Sequence, residues 1–333
     1  MMFPSSFFFL FFMVFGVFFS LSSSNWFLVW CGLEMNLMGF IPILIQFKGL
    51  SEIESAMKYF LVQALGSAMV LFGGVYCFFN LFSWTSLLFC LPVIIGLMIK
   101  LGVFPFYFWL PGVMMNMSWL SCLLLATWQK IAPLGILISF FYSNSMILVW
   151  AGVGSSLIGG IMGMGQSNLK CLLAYSSIGH MGWMVSISQF SVSISLFYLF
   201  IYIMMNFILF VLLQKMNFSW LNSMKKVPYF MSYYIVLFGL GFLNLGGIPP
   251  LLGFFPKLFS VEVLLSSGIY LGTFGLILGT CFSLYYYISM VLNSCLNVLN
   301  WHGNVLKKLD FGFVVLLLLL FNIFGLMILF IFI

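Results

Sequence analysis

Long apolar runs, broken by short polar or glycine- and proline-bearing stretches, cover almost the whole chain. A helix needs about 20 apolar residues to cross a bilayer. On that measure the runs predict spans at 3–22, 25–46, 56–80, 85–110, 114–141, 145–164, 169–189, 192–214, 228–266, 267–292 and 311–333. Helices are expected because they satisfy their own backbone donors and acceptors where no water can. The predicted fold is therefore all-α, a polytopic transmembrane helix bundle occupying 1–333 as a single transmembrane domain.

Two runs contain residues that no plain helix tolerates. Gly246-Gly-Ile-Pro-Pro250, with Gly253 and Pro256, interrupts 228–266, and Lys100-Leu-Gly-Val-Phe-Pro105 through Pro111 interrupts 85–110. Irregular backbone at membrane depth persists only where it is buried in protein or lines a cavity. The stretch 228–266 reads as one interrupted span or as two, and the lysines decide between these. Counted once, it places the loops holding Lys48, Lys170, Lys215 with Lys225 and Lys226, and Lys307 with Lys308 on one face, and leaves the opposite loops without lysine. Basic loops share the side from which a chain is inserted. The expectation is eleven spans, with the N-terminus on the basic side and the C-terminus opposite.

On that count the broken runs are spans four and nine. An odd offset means opposite orientation, so 1–141 and 145–292 are expected to be two inverted five-helix repeats, each with a broken helix, followed by a C-terminal helix 311–333.

Composition sharpens this picture. Of 333 residues 64% are hydrophobic and 5% charged, which excludes a soluble globule. All eleven basic residues are lysine, and Phe (43) and Met (23) are heavily used. That bias fits a small A+T-rich organelle genome and predicts translation inside a mitochondrion, with the basic face toward the matrix. The first run, Met1 to Leu21, has no basic start and no small-residue cleavage site, so no removable signal is expected in it.

The seven cysteines form no C-x-x-C and read as small packing residues, and His180 and His302 lie far apart. Neither a dinucleotide fingerprint nor a P-loop occurs. No metal and no cofactor on this chain, and no nucleic-acid partner, are expected. Gly159-x-x-x-Gly163, Gly268-x-x-x-Gly272 and Gly275-x-x-x-Gly279 are spacings at which helices pack closely. Glu54 and Lys58, at i and i+4, are expected to form a surface pair.

Four charges stand inside apolar runs: Glu34, Lys100, Lys130 and Lys257. Each costs about 2.5–3.5 kcal/mol at the bilayer centre. Together they rival the roughly 5–15 kcal/mol of net stability of a whole domain. Their retention points to function. Burial disfavours the charged form of a lysine and a nearby ionised carboxylate favours it, so a change of neighbour switches a lysine's proton on or off. His180 is a candidate fifth member of the polar path, or a packed core histidine.

The motifs around these charges resemble a known family. They are Trp30-x-Gly32-x-Glu34-x-Asn36, Lys58-Tyr-Phe-Leu-x-Gln63-x-x-Gly66-Ser67, Lys100-Leu-Gly-x-x-Pro105-Phe-x-Phe-Trp109-x-Pro111, Thr127-Trp-Gln-Lys130-x-Ala-Pro133, Ala174-Tyr-Ser-Ser-Ile-x-His180-x-Gly-Trp183 and Gly246-Gly-x-Pro-Pro250-x-x-Gly253-Phe-x-Pro256-Lys257. In this order they resemble the antiporter-like membrane subunits of mitochondrial NADH–ubiquinone oxidoreductase, respiratory complex I, in its chain 2 family.

The resemblance implies two inverted five-helix repeats and a polar axis in which Glu34 and Lys100 form an acid–lysine pair, Lys130 connects, and Lys257 is the terminal lysine. It implies proton translocation across the mitochondrial inner membrane, with NADH, FMN, iron–sulfur clusters and ubiquinone bound by other subunits. Its implied partners are the other complex I membrane-arm subunits and the lipid bilayer, with cardiolipin a candidate lipid. The short N-terminus is similar to the animal form, which lacks three leading helices of bacterial relatives. Two positions depart from the family: Tyr107 stands where histidine is frequent, and Cys171 replaces the second of two basic residues. Alternatives left open are a stand-alone cation/proton antiporter and a passive scaffold whose charges are structural pairs.

Overall fold

The computed structural model describes residues 4–46, 49–79, 87–140, 146–216, 232–249 and 251–299. Lys48, Lys225, Lys226, His302, Lys307, Lys308 and the expected helix 311–333 lie outside the described residues. The loop-charge argument for orientation rests largely on them. The chain divides into two compact units between Ser145 and Met146.

The first unit contains α1 (Pro4–Ser22), α2 (Trp26–Ile45), α3 (Leu50–Phe79), α4 (Leu87–Leu101), α5 (Trp109–Met114), α6 (Trp119–Ala126) and α7 (Trp128–Phe140). The second contains α8 (Met146–Met164), α9 (Leu169–Ile187), α10 (Val192–Met216), α11 (Ser232–Gly246), α12 (Phe254–Ser266) and α13 (Tyr270–Leu299). The described residues include no β-strand. Six of their helical segments are long and apolar enough to cross a membrane: 26–45, 50–76, 119–139, 146–164, 192–215 and 270–293.

Hydrophobicity does not decide which faces pack, because lipid tails are as apolar as the core. Small residues do. In the first unit α1 lies on α2 and α3 on α4. A Cβ added at Gly16 would stand 2.7 Å from the Asn36 nitrogen, and one at Gly96 2.6 Å from the Gly66 carbonyl oxygen. In the second unit α8 packs on α9 and α13. There a Cβ at Gly159 would meet the Tyr175 oxygen at 2.6 Å, and one at Gly279 the Ser156 oxygen at 2.6 Å. The outward face of α1 is instead a phenylalanine stripe, with Phe7, Phe11, Phe15 and Phe18 exposed. Gly96→Ala is expected to push α4 off α3 at a cost of about 1–3 kcal/mol. The level of assembled subunit in membranes reads it, and an unchanged level refutes it.

The structure departs from the sequence reading in three places. Helix α3 begins at Leu50 rather than at 56, because its first turns are polar and solvated. There the expected Glu54–Lys58 pair forms at 2.6 Å. The run 228–266 is interrupted where expected, between α11 and α12. The run 114–141 was expected to be continuous, but Thr127 divides it into α6 and α7. The Thr127 hydroxyl donates to the Leu123 oxygen at 2.7 Å, a back-bond that bends helices, and Lys130 N reaches the Thr127 oxygen at 3.3 Å. Finally, Gly268 does not mediate helix packing. It sits at φ 79 in the turn between α12 and α13, with no atom within 4 Å of a built Cβ.

Candidate functional site

Both expected breaks are present, and each opens with the same device. Helix α4 ends at Leu101 and Gly102 takes φ 69; helix α11 ends at Gly246 and Gly247 takes φ 76. A residue after a helix end adopts this left-handed conformation readily only when it is glycine, and its amide then turns back to the last carbonyls. Gly102 N donates to Met98 O at 3.0 Å, and Gly247 N to Leu243 O at 3.1 Å.

A helix C-terminus carries partial negative charge and exposed carbonyls, and both need donors or cations. In the first unit neutral groups supply the donors. Trp109 Nε1 donates to Ile99 O at 3.1 Å and Gln63 Nε2 to Lys100 O at 3.4 Å. Lys100 itself stands in the last turn of α4, 6% exposed. In the second unit the cation comes from beyond the break. Lys257, in the first turn of α12 and 9% exposed, reaches back so that Nζ donates to Gly246 O at 2.6 Å and Leu245 O at 3.3 Å. Lys257 thus binds the carbonyl end of the first half-helix from beyond its break, whereas Lys100 belongs to the last turn of its own half-helix.

Glu34 lies midway along α2 and is half-buried. Its carboxylate interacts electrostatically with Lys100 and with the Tyr59 hydroxyl. Lys130, 3% exposed, lies in the first turn of α7, just past the Thr127 bend. The residue before it, Gln129, accepts a hydrogen bond from the Tyr59 hydroxyl at 3.2 Å. Lys100 and Tyr59 thus lie within electrostatic reach of Glu34, although among the described residues no Glu34–Lys100 ion pair of 4 Å or less forms, and the Tyr59 hydroxyl is bonded to the Lys130 helix.

In the second unit His180 and Lys257 line one narrow cavity among α8, α9, α12 and α13, with Ser176, Ser283, Tyr286 and Tyr287 on its walls. His180 Nδ1 stands 3.0 Å from the Tyr198 hydroxyl. His180 is thus both a packed core residue, 5% exposed, and a member of a polar cluster.

Sequence reasoning assigned no role to Tyr59, Gln63, Gln129 or Tyr198, though the first three stand inside or beside quoted motifs. Polar side chains in apolar runs next to a motif lysine were the available signal. Tyr107 is buried at 5% exposure with its ring 4.0 Å from that of Phe108, and Cys171 is buried. Among the described residues, no group of three or more His, Cys, Asp or Glu side chains is arranged to hold a metal ion.

Comparison with known proteins gives concordant results. The family described as NADH:quinone oxidoreductase/Mrp antiporter, TM, matches residues 23–283. NADH-ubiquinone oxidoreductase chain 2 of Lumbricus terrestris is 37% identical over 277 residues, covering 83% of this chain and 82% of the relative. The protein of the same name from Xenopus laevis is 38% identical over 283 residues, 82% of this chain and 81% of the relative. Among solved structures, a chain of respiratory complex I from Thermus thermophilus with bound aureothin matches with a TM-score of 0.81 at 24% identity, over 96% of this chain and 78% of that one. At that identity the likeness is one of fold.

Proposed function

The chain belongs to the NADH:quinone oxidoreductase/Mrp antiporter transmembrane family, and from that premise we propose that it is a core membrane subunit of respiratory complex I. In this reading it moves protons across the mitochondrial inner membrane through Glu34, Lys100, Lys130 and Lys257, with His180 on the same polar axis. Electron transfer from NADH to ubiquinone, carried out with FMN and iron–sulfur clusters on other subunits, drives it. This chain then does no redox chemistry and holds no cofactor. Its partners are the other membrane-arm subunits and the bilayer, cardiolipin included.

The proposed architecture is eleven spans, with the N-terminus in the matrix and the C-terminus in the intermembrane space. Two inverted five-helix repeats, 1–141 and 145–292, supply one broken helix each.

One observation carries the reading: a buried lysine stands at the negative end of an interrupted helix in each unit. In the second unit two carbonyls stabilise the Lys257 ammonium, and in both units the helix dipole favours a cation that burial opposes, so a small change in neighbours decides the proton. Opposite charges 4 Å apart attract by about 4 kcal/mol at an effective dielectric of 20. Moving a charge through 100 mV takes about 2.3 kcal/mol. A change of partner distance is therefore energetic enough to drive a proton across.

The test replaces Lys130 by methionine in the assembled complex and measures protons moved per NADH oxidised. Loss of coupled proton movement is expected, since a thioether cannot take up a proton. Normal pumping at normal subunit abundance would instead establish the scaffold reading. Ion exchange by the purified chain alone would establish the stand-alone antiporter.

A further inference from the structure

Glu262 is a charge inside the run 228–266 that the reading above does not use. It stands on α12 five residues after Lys257, but on a different face. Lys257, Ser260 and Leu264 are buried, and α12 packs against α9, α10 and α13. Glu262 is exposed, with Leu258 and Leu265, each 42% exposed, about one turn before and after it. A single carboxylate thus interrupts an outward stripe that is otherwise leucine.

Lipid alone is a poor neighbour for that carboxylate. Glu262 lies four residues, about 6 Å of helix, short of the end of α12 at Ser266. Helical side chains tilt toward the N-terminus, so this one leans into the apolar slab rather than out toward the surface. Lipid ammonium groups stay at the headgroup level, and a charge at membrane depth is costly unless it is paired. Among the described residues no ion pair to Glu262 forms. On the proposed span count the loops at this end of α12 carry no lysine, so this chain's own loops do not supply the cation.

We propose that the stripe of Leu258, Glu262 and Leu265 docks a helix of another membrane-arm subunit, one that presents a lysine or arginine to Glu262. Recognition is by charge: a carboxylate in apolar surroundings and a cation in the same position each remove the other's insertion cost. The leucines on either side keep water and lipid from the pair. This contact rests on the complex I reading and adds the element that fixes which face of the chain its neighbour meets.

The experiment places benzoylphenylalanine at Leu258 or Leu265 of the chain in the assembled complex, leaves Glu262 intact, and illuminates. The expected product joins this chain to a helix of another subunit, with a lysine or arginine within one turn of the joined residue. Attachment to phospholipid, or to a protein segment without a basic residue there, would overturn the proposal. A second measurement does not depend on the photoprobe. Glu262→Leu should lower the level of this chain in the complex about tenfold or more, because the partner's cation is left unpaired, and Glu262→Asp should restore most of it. Against lipid, leucine is the better residue, so an undiminished level of Glu262→Leu would also sink the proposal. If the chain fails to copurify with NADH–ubiquinone reductase at all, the complex I reading fails as well; if it copurifies and the probe meets lipid, only the docking contact falls.

Discussion

Lys257→Met is expected to leave the chain assembled and to stop coupled proton translocation. The two halves of that statement come from opposing terms. Removing the ammonium deletes its bonds to the carbonyls of Gly246 and Leu245, and each hydrogen bond to a charged group contributes about 1.5–3 kcal/mol. It also relieves the burial of a charge at membrane depth, which opposes folding by about 2.5–3.5 kcal/mol. The difference is about 3.5 kcal/mol or less, so the break between α11 and α12 should persist, with water or backbone satisfying the two carbonyls. Proton carriage has no such compensation, since a thioether cannot take up a proton. The measurement pairs subunit abundance with proton movement per NADH oxidised. Abundance near normal with pumping retained would remove Lys257 from the path. Abundance lost altogether would show that the lysine is needed chiefly as a helix cap.

The reverse outcome, a fold lost with every proton site intact, is expected for Gly253→Val. Gly253 directly precedes α12, and a Cβ built there runs into the Asn244 carbonyl, with the Met205 sulfur 3.3 Å away. The carbonyl belongs to backbone and cannot turn aside as a side chain would. The two half-helices must separate, at about 3 kcal/mol or more, the range of severe overpacking. Because that separation also removes Lys257 from the end of α11, pumping and abundance should fall together. Gly112→Ala is the control: it stands exposed in α5 with no atom within 4 Å of a built Cβ, and should change neither. Normal abundance of Gly253→Val would mean that the break is looser than this close contact implies.

How far each element was legible in the sequence follows from what kind of force decides it. The existence of the spans was legible, because burial of backbone polar groups in lipid leaves a helix as the only open form, and apolar length alone marks it. The two main breaks were legible too, since Gly246-Gly-x-Pro-Pro and Gly102 with Pro105 are chemically unable to continue a helix. The break at Thr127 was not: threonine is compatible with a helix, and hydroxyl back-bonds such as that to Leu123 O also occur at Ser155 and Ser176 inside unbroken helices.

The candidate site divides in the same way. Glu34, Lys100, Lys130 and Lys257 could be named from sequence because a charge in an apolar run has a large insertion cost whatever surrounds it. Tyr59, Gln129 and Tyr198 could not, because a tyrosine or glutamine in a span is only mildly unfavourable and gains meaning from its neighbours. Seventy residues separate Tyr59 from Gln129, and nothing local foretells their bond.

By itself, then, the sequence determined an all-helical membrane chain, its broken runs and the identity of its buried charges, all of them consequences of transferring residues one at a time from water into lipid. Tertiary structure alone decided that Lys257 reaches back across its break to the carbonyl end of α11. It also decided that His180 and Lys257 share a cavity, that the Tyr198 hydroxyl stands beside His180, and that the Tyr59 hydroxyl is bonded to Gln129 next to Lys130. Those are properties of direction and distance between helices, set in lipid by where glycines let backbones meet, and no per-residue transfer energy contains them.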